Sequence, residues 1–274
     1  MPYIRFQKYS TLLITSIFLV LSACSSTEEE KYVERSVEEL YNTGLTELKK
    51  GNFNKAASAF DEVERQHPYS QWATQAQLMS SYAYYQNQKY EKALAALDTF
   101  IQLHPAHPDI SYAYYLQGLC YYEQLSPVER DQKMTELAMD AFQEILKRFS
   151  ESNYAKDAKL KLSLLQDMMA AKEMYVGRYY QAHKRYIAAM NRFSKVIKNF
   201  QTTAHVPEAL HRLVEVYLAL NLKEEALSTA SILSHNFPTS SWYAETYLLM
   251  KGEDFRKKNS EEYLSWYNKL WNDK

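Results

Sequence analysis

Residues 41–68, YNTGLTELKKGNFNKAASAFDEVERQHP, and residues 78–105, LMSSYAYYQNQKYEKALAALDTFIQLHP, decide how this chain folds. Overlaid with a shift of 37 residues and no gap, they set Gly44 on Ser81, Phe53 on Tyr90, Ala56 on Ala93, Phe60 on Leu97 and Pro68 on Pro105. Each window carries apolar residues at helical spacing on both sides of a short polar turn, so each predicts two helices folded back on one another. A small residue in the first helix and an alanine in the second let the two axes approach closely, and the proline ends the unit. These positions serve proximity and not chemistry.

The register persists down the chain. Gly118 lies 37 residues beyond Ser81, but the answering alanine, Ala138, arrives eight residues late. The surplus falls on LSPVERDQ, residues 125–132, which predicts an enlarged loop inside a third hairpin before Phe142 and Ile145 resume the core pattern. A fourth unit has Gly177, Tyr180, Tyr186, Ala189, Phe193 and Val196; a long helix over about 154–180 precedes it, and at Gln201 the terminating proline is missing. A fifth has Val214, Tyr217, Lys223, Ala226, Ala230, Leu233 and Pro238. This pattern resembles the tetratricopeptide repeat, and the resemblance implies an all-α fold. The expected architecture is an α-solenoid of five tetratricopeptide-like helix-turn-helix repeats with a C-terminal capping helix. The cap begins in SSWYAETYLLMKGEDF, where Trp242, Tyr243 and Leu248 can cover the end of the stack. The final EEYLSWYNKLWNDK reads as a further short helix or a tail, with Trp266 and Trp271 as cap residues or a contact patch.

Composition agrees with this. The 274 residues include only five glycines and seven prolines, too few for a glycine-rich nucleotide fold or a turn-rich sheet protein. A formal charge of -1 removes any general case for nucleic acid as a partner. The 24 tyrosines stand out, because Tyr joins a rigid apolar ring to a polar tip and so serves packing and recognition alike. Of the two cysteines, Cys120 sits in the helical stretch YLQGLCYYEQ and reads as a small core residue.

Cys24 reads differently. MPYIRFQKYSTLLITSIFLVLSAC has two basic residues, Arg5 and Lys8, then an apolar run over 12–21, then small residues, which is the three-part plan of a secretory signal. Leu21-Ser22-Ala23-Cys24 resembles the bacterial lipobox. That resemblance implies a diacylglycerol on the Cys24 sulfur, cleavage before it, and acylation of the new amino end. Three acyl chains bury enough CH₂ groups to make such an anchor stable. Ser25, being other than Asp, implies passage to the outer membrane. The expected organisation is a lipoprotein signal peptide over 1–23 and an acylated Cys with a flexible tether over 24–32. Repeats 1–3 follow over 33–150, repeats 4–5 over 151–240, and a capping helix and tail over 241–274.

No catalytic constellation is legible. G-x-x-x-x-G-K-[ST], G-x-S-x-G, H-E-x-x-H and C-x-x-C are all missing from the sequence. The only close histidine pair, His104 and His107 in HPAHP, lacks the further ligands that a structural zinc requires and reads as a solvent-touching loop pair. Glu28, Glu29 and Glu30 form a solvated run, and Glu224 and Glu225 sit at a helix start, where negative charge is favoured. No catalytic residue, cofactor or metal is expected.

Two features point to partners. Tyr84 and Tyr85, Tyr114 and Tyr115, and Tyr121 and Tyr122 are adjacent pairs on first helices, so they cannot all face the core. They line a groove for an extended peptide, or they thicken the packing between repeats. From Lys172 to Gln201, seven basic residues (Lys172, Arg178, Lys184, Arg185, Arg192, Lys195, Lys198) face one acidic residue, Glu173. That excess can steer an acidic partner or an anionic lipid surface. Arg192 lies at the edge of its helix face, where a guanidinium can meet a carboxylate.

LSAC, the long ungapped LMSSYAYYQNQKYEKALAALDTFIQLHPAHPDISYAYYLQGL and YYQAHKRYIAAMNRFSKVIKNF together resemble the tetratricopeptide-repeat lipoproteins of the β-barrel assembly machinery. The resemblance covers essentially the whole mature chain. It implies a non-catalytic scaffold, lipid-anchored in the outer membrane and facing the periplasm, that serves barrel folding and insertion. The implied partners are the periplasmic domain nearest the barrel of the central assembly subunit, accessory assembly lipoproteins, and unfolded outer-membrane-protein peptides. Arg192, with Arg185 and Lys195, would lie at the central-subunit interface. Tyr84, Tyr85, Tyr114, Tyr115 and Tyr121 would fall on the substrate-receiving half. The LSPVERDQ loop is shorter than in the best-known members, which leaves open any contact it makes with an accessory subunit. The competing readings are a periplasmic repeat adaptor for peptidoglycan or cell-division coordination, and a hydrolase on a helical solenoid.

Overall fold

The hairpins repeat one backbone design with few variations. The computed structural model describes residues 33–252. Cys24, the 1–23 and 24–32 segments, Trp266 and Trp271 lie outside the described residues. Among the described residues, the chain divides into compact units between Ser36 and Val37, and all the helices lie in the unit that begins at Val37.

Eleven α-helices and no strand occur among the described residues. The first three hairpins are α1 (Val37–Lys49) with α2 (Phe53–Gln66), α3 (Gln71–Gln86) with α4 (Tyr90–Leu103), and α5 (Ile110–Tyr122) with α6 (Lys133–Arg148). Two more are α7 (Ala155–Ala182) with α8 (Tyr186–Asn199), and α9 (Val206–Ala219) with α10 (Lys223–Asn236). The last described helix is α11 (Ser241–Met250). Each helix packs on the next in chain order. First helices also meet across the stack, α1 with α3, α3 with α5, and α9 with α11.

The turn inside four hairpins is the same. Gly51, Gln88, Lys184 and Asn221 take φ of 77°, 57°, 58° and 61°. The next N–H in each case reaches back to a carbonyl five residues earlier, at 2.8 to 2.9 Å: Asn52 to Glu47, Lys89 to Tyr84, Arg185 to Tyr180 and Leu222 to Tyr217. This satisfies the last carbonyls of the first helix and reverses the chain. Only one of the four positions is glycine, so the left-handed residue is invisible in a glycine count. The third hairpin replaces this turn with the 125–132 loop. Gln132, buried, braces it by donating to the carbonyls of Pro127 at 2.9 Å and Arg130 at 3.3 Å while accepting from Thr135 at 2.8 Å.

Second helices also stop in one way. His67, His104, Phe149, Phe200 and Phe237 take φ between -127° and -135° and ψ between 41° and 56°. Each carbonyl then accepts from the N–H three residues on. Proline follows three of these residues, but Ser150 and Gln201 follow the others. The sequence reading took Gln201 as a departure from the pattern. The structure gives it the same stop, because the ring at the preceding position turns into the seam between hairpins: Phe149, Phe200 and Phe237 all pack against the core. His104 and His107, expected as a solvent-touching pair, lie with ring centres 5.4 and 5.2 Å from that of Phe100.

Inside each hairpin, side-chain sizes are matched. A Cβ placed on Gly44, Gly118 or Gly177 would fall 2.5 to 2.6 Å from a ring carbon of Phe60, Phe142 or Phe193. All three rings are completely buried. In the second hairpin the equivalent residues are Ser81 and Leu97, and in the fifth Val214 and Ala230, so the first-helix side chain grows as its partner shrinks. The alanines Ala56, Ala93, Ala138, Ala189 and Ala226 are each fully buried. Pairing a small residue with a larger one lets a hairpin close to interior packing density.

Gly177→Ala is expected to cost about 1–3 kcal/mol by overpacking Phe193, read as a lower urea midpoint. Adding Phe193→Leu, which copies the second hairpin's solution, is expected to restore most of it. Equal midpoints for the wild type and Gly177→Ala would contradict the matching argument.

Candidate functional site

The six paired tyrosines are all half-buried, and most of their hydroxyls are committed. Tyr84, on α3, donates to Asp61 of α2, which also binds Ser80. Tyr115, on α5, donates to Asp157 of α7 at 2.6 Å, and its ring stacks on Tyr154 with centroids 5.0 Å apart. Tyr114 accepts from Arg148 at 2.7 Å, and Tyr85 reaches Glu123 at 3.5 Å. Tyr121 and Tyr122 pack on the third hairpin's core, with the Lys161 ammonium 4.9 Å from the Tyr122 ring centre. The structure thus brings Tyr84, Tyr85, Tyr114, Tyr115 and Tyr121 into the packing between helices, and leaves part of each ring accessible. Among the described residues, the fully exposed Tyr69 and partly exposed Trp72 are the aromatic groups most open in the first two hairpins.

Burial, aided by the adjoining carboxylates, holds the Tyr84 and Tyr115 hydroxyls well above the ordinary phenol range, and burial beside Glu123 pushes Tyr85 up to about 12. Burial likewise pushes the Cys120 thiol up to about 12, which fits an inert core residue.

The basic stretch is less free than its sequence suggests. Arg178 is bound to Glu208 at 3.0 Å, and Lys172 donates to the carbonyls of Glu129 at 3.1 Å and Arg130 at 3.0 Å. Arg192 and Lys195, one turn apart on α8, both converge on Glu173 of α7, at 3.0 Å and 2.6 Å. The Glu173 side chain is 5% exposed, whereas those of Arg192 and Lys195 are 41% and 45% exposed. One oxygen of the carboxylate serves Nη1 of Arg192 and the other serves Nζ of Lys195. Sequence reasoning counted Glu173 only as the lone opposing charge; that it takes up both cations follows from helix pairing, which no spacing within one helix could reveal. Arg185, at the start of α8, is exposed and lines an open concavity of about 540 Å³ with Lys184, Ile187, Asn191 and Leu220.

A second polar cluster fixes the end of the array. His211 is buried between Thr246 at 2.8 Å and the carboxylates of Glu215 and Glu245 at 3.6 and 3.8 Å. Trp242 lies against His211 and Arg212. Burial pulls the Glu215 carboxyl upward, but hydrogen bonds from His211, Arg212 and Gln181 outweigh it and hold the group down at about 2. Trp242, expected as a cap residue, is thus seated on the fifth hairpin.

Among the described residues, no group of three or more His, Cys, Asp and Glu is placed to hold a metal ion, and no helix is long and apolar enough to cross a membrane. Helix hairpins that spend their polar groups on one another and keep open, charged and aromatic faces make a tetratricopeptide-type recognition scaffold. Comparison with known proteins narrows the class. A family model described as YfiO, outer membrane lipoprotein, matches residues 33–233. The outer membrane protein assembly factor BamD of Caulobacter vibrioides is 42% identical over 256 residues, covering 92% of this chain and 84% of its own length. Those of Rickettsia prowazekii and Neisseria meningitidis serogroup B are 43% and 38% identical, covering 88% and 84% of this chain and 96% and 91% of their own. Among solved structures, a thermophilic tetratricopeptide protein of Thermus thermophilus aligns at 16% identity over 78% of this chain and 100% of its own, with a TM-score of 0.38. The chain belongs to the YfiO family of outer membrane lipoproteins, whose curated members are named outer membrane protein assembly factor BamD. As such it is an assembly factor associated with the outer membrane, and not an enzyme.

Since the folded state favours neutral phenols at Tyr84, Tyr85 and Tyr115, their contribution to stability is intact below about pH 10 and drains away as pH rises through the folded values. A pH titration followed by tyrosinate absorbance and helical circular dichroism is expected to show the last phenols ionising together with helix loss. Complete ionisation near pH 10 with helix content unchanged would contradict the assigned contacts.

Proposed function

We propose that this protein is a lipid-anchored, periplasm-facing scaffold of the machinery that folds and inserts outer-membrane β-barrels. Its C-terminal repeats dock the periplasmic part of the central barrel subunit through Arg192, Arg185 and Lys195. Its N-terminal repeats receive unfolded outer-membrane-protein segments over Tyr84, Tyr85, Tyr114, Tyr115 and Tyr121. Acyl chains on Cys24 keep both surfaces beside the bilayer. Accessory assembly lipoproteins complete the set of partners.

The observation that carries this reading is the family match, which spans all five hairpins up to Leu233. Geometry supports the assignment of the two faces. Arg192 spends only Nη1 on Glu173, so Nε and Nη2 have no hydrogen-bond partner among the described residues. A guanidinium held this way can still bind an incoming carboxylate through two N–H groups. On the tyrosine side the hydroxyls of Tyr84, Tyr85 and Tyr115 already serve internal carboxylates, and that of Tyr114 accepts from Arg148. What the rings offer a segment is their faces and edges, which suits apolar and aromatic side chains in an extended peptide.

Arg192→Glu is expected to reduce recovery of the central subunit at least tenfold when the protein is purified from outer membranes, an order of magnitude typical for reversing a charge against a paired carboxylate. Undiminished recovery would refute the docking assignment. Separately, replacing residues 1–24 by a conventional cleavable secretory signal, which removes Cys24 and the apolar run together, is expected to move the protein from the membrane pellet to the soluble periplasmic fraction, and undiminished sedimentation with membranes would refute the anchor.

A further inference from the structure

The Glu173 side chain presents a cost that the fold alone does not require. A carboxylate buried between two helices gains little net stability over an apolar residue of similar volume, because losing its hydration offsets most of the attraction it regains. What such a group does supply is geometry. Here its two oxygens are each assigned to a different cation, Oε2 to Arg192 at 3.0 Å and Oε1 to Lys195 at 2.6 Å, while both cations keep close to half of their side-chain surface open.

We infer that Glu173 is a positioning residue that converts Arg192 and Lys195 into a preset site for one carboxylate of a partner protein, a side chain flanked by apolar residues. Engaging Nη1 of Arg192 from the inner side fixes the plane of the guanidinium and directs its Nε and Nη2 hydrogens outward as a fork. Engaging Nζ of Lys195 from the same carboxylate holds the second cation beside the fork, and the two remaining ammonium hydrogens complete the donor set. The rim has the matching chemistry. Asn191 precedes Arg192 and lies one turn before Lys195, and it lines the concavity that Ile187, 57% exposed, and Leu220 make apolar. A carboxylate on the fork would place neighbouring apolar side chains of the same segment over that concavity.

The three charged groups together leave one net positive charge at the site. Specificity in this arrangement comes from the fixed direction of the donors, since a pair of untethered cations would attract carboxylates from many directions and hold each less long. Glu173 therefore acts on the lifetime of the complex and, being negative, opposes its rate of formation.

The inference rests on Arg192 being at the docking surface, and the test separates the two. Binding kinetics of the full-length acylated protein in detergent are measured against the full-length central barrel subunit of the same organism, for the wild type, Glu173→Gln, Arg192→Lys and Arg192→Glu. Glu173→Gln is expected to dissociate about tenfold faster while associating as fast as the wild type or faster, a split that simple loss of structure would not produce. Arg192→Lys, which keeps the charge and the bond to Glu173 but removes the fork, is expected to lose nearly as much as Arg192→Glu. If Glu173→Gln dissociates like the wild type, or if Arg192→Lys binds like the wild type, the positioning role is overturned while docking at Arg192 stands. If Arg192→Glu also binds normally, the docking assignment falls with it. Should Glu173→Gln prove unstable by thermal melting, the Arg192→Lys result decides.

Discussion

Everything in this structure depends on how closely the two helices of a hairpin can approach. A glycine opposite a phenylalanine ring sets that distance in three hairpins, and the aligned positions of the other two carry Ser81 with Leu97 and Val214 with Ala230. The ring fills the space that the missing side chain vacates, so close approach and dense packing are achieved by one pair of residues. Because the solution is local, each hairpin can vary its loop, its surface charge and its exposed rings without disturbing its neighbours. The enlarged 125–132 loop is such a variation, self-braced by Gln132, and the core residues Ala138, Phe142 and Ile145 resume beyond it in full burial.

That constraint is also why the fold was legible in the residues themselves. Gly44, Ala56 and Phe60 report helix proximity by their sizes and their spacing, and spacing survives in a one-dimensional string. Two local features did not announce themselves. The left-handed turn residue is Gly once but Gln88, Lys184 and Asn221 elsewhere, because a terminal hydrogen bond from the next N–H stabilises a conformation that these side chains merely tolerate. The end of each second helix was read from proline, whereas the common feature is the aromatic ring one position earlier.

The candidate sites were less legible, for an electrostatic reason. A run of seven cations against one anion suggests an open positive surface, yet charge in a folded chain is settled between helices. Glu208, outside that run, takes Arg178, and Glu173, inside it, takes both Arg192 and Lys195. The tyrosines pose the same difficulty in reverse. Adjacent rings on one helix must diverge, but which hydroxyl meets a carboxylate depends on Asp61 and Asp157 arriving from neighbouring helices. Pattern along the chain gave the faces; only the fold gives the partners.

The 28 residues of α7 run without interruption for about 42 Å, twice the 14 residues of α8 that follow it. Near one end Asp157 is fastened to Tyr115, and near the other Gln181 is fastened to Glu215 at 2.8 Å. An unbroken helix resists torsion far better than the jointed hairpins on either side of it. It gives the third and the fifth hairpins one common backbone to pack on, with no joint between the two fastenings.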